Sequence, residues 1–134
     1  GYMMYPFNFY YYQNNEENAV FCALEMMEKL EELNSLYREQ LVRPIEAGIG
    51  INAGEVVAGN LGSEEKIEYS VTGDTVNTGK RIEMLTKDCP NSILVSDTVY
   101  PKIASLFELK PWEPVAVKGK KEKIQVYEVL KKKG

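Results

Sequence analysis

Residues 45–51, Ile-Glu-Ala-Gly-Ile-Gly-Ile, constrain the fold more than any other stretch of the chain. Their alternation predicts a strand with Ile45, Ala47, Ile49 and Ile51 on one face. Gly48 and Gly50 leave the opposite face bare. A bare strand face marks the close approach of another backbone or of a ligand. Asn52-Ala-Gly54 then turns the chain, and residues 55–58 return as a second strand, completing a hairpin. Residues 59–63 read as a loop, and Ile67, Tyr69 and Val71 mark a third strand.

Helices flank this segment. Val20, Leu24, Met27, Leu30 and Leu33 follow the i, i+3, i+4 rhythm, predicting a helix over residues 17–41. Pro44 ends it, because proline disfavours helical geometry in the residue before it. Asp74 is a good N-cap for a second helix reaching about Thr86, with Val76, Ile82 and Leu85 toward the core. A strand over 92–96, a short helix from Asp97 to Ala104, and strands over 114–118 and 124–129 complete the series. A tight basic turn, Lys118-Gly-Lys-Lys121, joins the last two strands. Helices and antiparallel pairs mix without strict alternation, so the expected class is α+β, with a ferredoxin-like sheet carrying its helices on one face.

The chain has 134 residues, 44% of them hydrophobic, which fits one domain or most of one, over 1–134. Its net charge of −4 provides no field for nucleic acid. It has no histidine, and Cys22 and Cys89 form no C-x-x-C pair, so imidazole and thiolate metal sites are excluded. Any metal must be hard and held by carboxylates. No apolar run is long enough to span a membrane, and the expected setting is reducing and cytoplasmic. The aromatic stretch 1–12 reads as a strand or core segment whose predecessor is missing.

Two phosphate-loop patterns fail on inspection. Residues 73–80 have five residues between the glycines instead of four, and Arg81 stands where a Walker loop needs Ser or Thr. Gly48-x-Gly50-x-x-Ala53 should open a helix, but a strand pattern follows. What remains is Asn77 and Arg81, four residues apart and so one above the other on a single helical face. Such a pair can steer a sugar ring and grip a developing phosphate charge. Asp74, in the turn before them, is read as structural rather than as a metal ligand.

Residues 50–62 and 69–81 closely resemble the catalytic domain of class III nucleotidyl cyclases. The pattern G-I-x-x-G-x-x-x-A-G-x-x-G is met by Gly50, Ile51, Gly54, Ala58, Gly59 and Gly62. The pattern Y-x-x-x-G-D-x-V-N-x-x-x-R is met by Tyr69, Gly73, Asp74, Val76, Asn77 and Arg81. The resemblance extends over roughly residues 18–130. It implies a βαββαβ domain working as a dimer with a second cyclase domain, and the reaction of ATP to cyclic AMP and pyrophosphate. It also implies that Asn77 orients the ribose, Arg81 stabilises charge at the α-phosphate, Lys118 meets the β- and γ-phosphates, and Ser70 reads the purine. Lys120, Lys121 and Lys123 are rivals for the role of Lys118.

The chain departs from that family in its metal half. Members hold two magnesium ions, for which manganese substitutes, with one aspartate in an F-x-D-I-x-G-F strand and one in a G-D pair. Neither motif is present, and no Asp precedes Asp74. The expectation is a fragment, inactive alone, whose metal ligands lie upstream of this chain. A non-catalytic cyclase-homology module and a guanylate cyclase are the alternatives.

Overall fold

The computed structural model describes residues 15–54, 57–63, 66–72 and 74–134, with side chains given outside 57–63 and 66–72. The aromatic stretch 1–12, Glu55, Val56 and Gly73 lie outside the described residues.

Helix α1, Asn15–Leu36, opens with Glu16 and Glu17, whose charge suits the positive end of the helix dipole. Val20 and Ala23 are buried, and Leu24, Met26 and Met27 pack beside them. The helix stops five residues short of the predicted end. Leu36 and Tyr37 are exposed, so the apolar stripe has nothing left to bury. Asn34 then catches the returning chain: its Nδ2 donates to Ile45 O at 2.9 Å, and Ile45 N donates to its Oδ1 at 2.8 Å.

Strand β1, Ile49–Ile51, is shorter than the predicted 45–51 for a related reason. Asparagine side chains hold the earlier residues where a strand ladder would otherwise run. Ala47 N donates to Asn91 Oδ1 at 3.0 Å, and Asn91 N donates to Ala47 O at 2.7 Å. Asn91 adopts φ 64°, a left-handed conformation that asparagine tolerates better than most residues.

The predicted hairpin is re-partnered. β1 pairs in parallel with β4, Ile93–Ser96. Strand β2, Val57–Ser63, pairs antiparallel with β3, Lys66–Thr72. Residues 59–63, expected as a loop, are therefore the second half of β2. Their ladder to β3 overrides the poor strand propensity of Gly59 and Gly62.

After β3 come helix α2, Asp74–Leu85, and a 3-10 turn at Thr86–Asp88. A one-turn helix α3, Tyr100–Ile103, follows β4. Strands β5, Phe107–Pro111, and β6, Val126–Lys132, complete a four-stranded sheet in the order β1-β4-β6-β5. Predicted strand 114–118 is reduced to a single bridge between Val115 and Ile124.

The α+β class holds. The two long helices, expected on one face, lie on opposite faces of this sheet, because its strands bury both. Ile49, Ile93, Val95 and Val129 join Val20 and Ala23 of α1. Leu94 and Val126, pointing the other way, join Ile82 of α2 together with Val117 and Ile124. No helix among the described residues is long and apolar enough to cross a membrane.

Candidate active site

Helix α2 carries the site, and its own geometry divides its residues. Thr78 and Ile82 are buried, one helical turn apart. Asn77 and Arg81 each precede one of them, about 100° round the axis, and both are exposed. Neither side chain has a hydrogen-bond or ion-pair partner among the described residues. Arg81 therefore presents an uncommitted planar fork of donors. Val76, expected in the core, is only half-buried, and Thr78 takes the inward position.

Three devices hold α2 against the sheet. The first is the bare face of β1. A Cβ on Gly50 would lie 2.8 Å from Glu83 Cα and 2.9 Å from Gly79 O, with Glu83 N closer still. These are backbone atoms, so the helix axis approaches β1 as only glycine allows. Of the two neighbours expected at that face, a backbone or a ligand, the structure shows a backbone at Gly50. The second device is Ile82, buried among Leu94, Val117, Ile124 and Val126.

The third is Asn52, read from the sequence only as part of a turn. Its Nδ2 donates to Thr75 O at 2.9 Å. Its Oδ1 accepts from Ser96 Oγ at 2.7 Å and from Thr98 Oγ1 at 3.1 Å. The amide has one possible orientation here, since a carbonyl oxygen cannot donate and must face the NH2. The signal was present in the sequence as a polar amide directly after the glycine-bearing strand.

The basic turn closes on the start of α2. Lys120 N donates to Val117 O at 3.1 Å, and Gly119 has φ 88°. Lys120 Nζ lies 3.4 Å from Asp74 Oδ2. Lys118 is exposed in the same turn. Asp74 is the first residue of α2 itself, where its charge suits the helix dipole, rather than a cap ahead of it. Ser70 lies on β3 opposite Gly59, two residues before the strand ends, and its side chain is outside the description.

Among the described residues, no three of Asp, Glu or Cys cluster as metal ligands would. Asp74, the acidic residue on the first turn of α2, is engaged by Lys120.

Known proteins resemble this chain in sequence and fold. The family model described as the adenylate and guanylate cyclase catalytic domain matches residues 2–131. Adenylate cyclase 1 of Rhizobium meliloti is 33% identical over 114 residues, covering 85% of this chain and 17% of that protein. The crystal structure of the guanylyl cyclase Cya2 superposes with a TM-score of 0.81 at 34% identity, covering 91% of this chain and 61% of that one. The adenylyl cyclase CyaB from P. aeruginosa superposes with a TM-score of 0.78 at 25% identity, covering 89% of this chain and 60% of that one. The chain thus spans less than a fifth of the Rhizobium protein and about three fifths of the two solved domains.

Proposed function

The chain belongs to the adenylate and guanylate cyclase catalytic domain family, and we propose that it supplies the transition-state half of an adenylate cyclase site. The reaction is ATP to 3′,5′-cyclic AMP and pyrophosphate. The ribose 3′-oxygen bonds to the α-phosphorus, the bond from that phosphorus to the β-phosphate oxygen breaks, and the hydroxyl proton passes to solvent. Asn77 orients the ribose by hydrogen bonding. Arg81 takes up negative charge at the α-phosphoryl group through its fork of donors. Lys118 meets the outer phosphates, and Ser70 reads the purine edge.

One observation carries this reading. An amide and a guanidinium stand one turn apart on the exposed side of a helix whose backbone is pinned to β1, and both are uncommitted among the described residues. Phosphoryl transfer depends chiefly on positioning and charge stabilisation. An Arg carried on a helix whose backbone is held in place brings its charge to one side of the site.

The magnesium ions are held by carboxylates outside this chain, and a second cyclase domain completes the nucleotide site. The chain by itself then makes no cyclic nucleotide. ATP is preferred to GTP on the small hydroxyl of Ser70, although of the relatives reported above one is named an adenylate cyclase and another a guanylyl cyclase. A non-catalytic nucleotide-binding module is the second reading, favoured by the lack of any Asp before Asp74.

The test is a product assay of the complete protein with ATP and with GTP, in magnesium or manganese, beside its Asn77→Ala variant. Cyclic AMP formation that falls on substitution supports the proposal. Preferential cyclic GTP formation reverses the purine assignment. Nucleotide binding without turnover establishes the second reading.

A further inference from the structure

We propose that Asn52 is a positioning residue of this site: its amide ties the first turn of α2 to the ends of β1 and β4, and so sets where Asn77 stands. The inference rests on the proposed cyclase reading for its catalytic consequence, but its structural half stands independently.

The restraints on α2 are unevenly distributed. The Gly50 approach grips the helix at Gly79 and Glu83, in its middle and second half. A Cβ on Gly48 would collide with Thr86, just beyond its end. Ile82 anchors the second half from the sheet side, and Thr78, next to Asn77, is buried in the middle. Among the contacts that tie the first turn, which leads into Asn77, two differ in strength. One is the Lys120–Asp74 pair at 3.4 Å, with side chains 38% and 65% exposed. Exposed pairs of this kind contribute little. The other is the hydrogen bond from Asn52 Nδ2 to Thr75 O.

Asn52 can bear that load because it is itself fixed. Its Oδ1, Ser96 Oγ and Thr98 Oγ1 lie 2.7–3.1 Å from one another. Ala53 N also donates to Thr98 Oγ1 at 3.3 Å. The cluster gathers the residue after β1, the last residue of β4 and the loop beyond it. Small side chains allow the approach: a Cβ on Gly54 would lie 2.7 Å from Thr75 Oγ1. The consequence is leverage. Asn77 is two residues from the carbonyl that Asn52 holds, and a misplacement of about 1 Å at a catalytic group can cost about 10²-fold.

The test compares the complete protein with its Asn52→Asp and Thr98→Val variants. Asp keeps the acceptors for both hydroxyls but turns a carboxylate oxygen toward Thr75 O, where no donor remains. Thr98→Val, at an exposed position, removes only one hydroxyl. Two readouts apply. Hydrogen exchange of the first-turn amides of α2 should accelerate in Asn52→Asp, less in Thr98→Val, with the sheet unaffected. The kcat of Asn52→Asp should fall about 10- to 100-fold with KM for ATP nearly unchanged. In an Asn77→Ala background the same substitution should cost no more than about 3-fold, because the two residues act as one unit. Unchanged exchange in α2, or an equal loss of kcat in both backgrounds, overturns the inference. If the complete protein makes no cyclic nucleotide, the cyclase reading fails by itself, and the exchange data still decide whether Asn52 holds α2.

Discussion

Gly50 and Gly79 sit at the same contact between β1 and α2, yet they should respond oppositely to an added methyl group. At Gly50 the new Cβ meets backbone of Glu83 and Gly79, which no rotamer change can move aside. The helix must shift, so Gly50→Ala should destabilise the fold by about 1–3 kcal/mol. At Gly79 the nearest described atom to a new Cβ is Asn52 Cβ, at 3.7 Å, an ordinary contact. Gly79→Ala should therefore stabilise, by up to about 1 kcal/mol, through helix propensity. Denaturant midpoints of the two variants check the pair of signs, and a lower midpoint for Gly79→Ala would show that the contact has been misread. Arg81 and Asn77 need a different argument. Their exposure makes them expendable for stability, so alanine at either should leave the midpoint within about 0.5 kcal/mol while lowering activity. A large loss of stability at Arg81→Ala would favour a structural arginine.

At the scale of elements, the turn holding Lys118 and Lys120 and the helix α2 act as one assembly. Lys120 is engaged with Asp74, whereas Lys118 is exposed and has no partner among the described residues. Lys118→Ala should raise KM for ATP more than Lys120→Ala, and steady-state kinetics on the complete protein would show the reverse order if Lys120 is the phosphate ligand. Ile82→Ala should cost about 2–5 kcal/mol, because Ile82 is fully buried between the helix and the sheet. How far these elements could be read beforehand differs by cause. The α2 helix and the strand character of 49–51 were legible, because the spacing of apolar residues is local. The bare glycine face even announced a close neighbour. The partner of β1 was not legible, since parallel pairing with β4 joins residues 44 positions apart. Strand β5 was missed although Phe107-Glu-Leu-Lys alternates as a strand should. The shortening of β1 came from Asn91, whose side chain replaces a backbone partner of Ala47 at long range. The same blindness hid Asn52: a turn-forming asparagine and a three-way hydrogen-bonding hub have the same local sequence.

For the whole molecule, the sheet works as a spacer with a different helix on each side. The α1 face is a broad apolar core, and the α2 face is smaller and ends in the basic turn. That division lets one helix anchor the fold while the other offers Asn77 and Arg81 outward. On the proposed reading the metal half of the reaction lies outside this chain, so the isolated 134 residues should form no cyclic AMP with ATP and manganese. Detectable product from the chain alone would move the metal ligands inside it. Central to the account is Arg81 as the group that takes up charge at the α-phosphoryl. Its most direct test is kcat of the complete protein against its Arg81→Ala variant, at saturating ATP. A fall of about 10²–10³-fold with the fold intact is the expected result. An unchanged kcat would contradict the account.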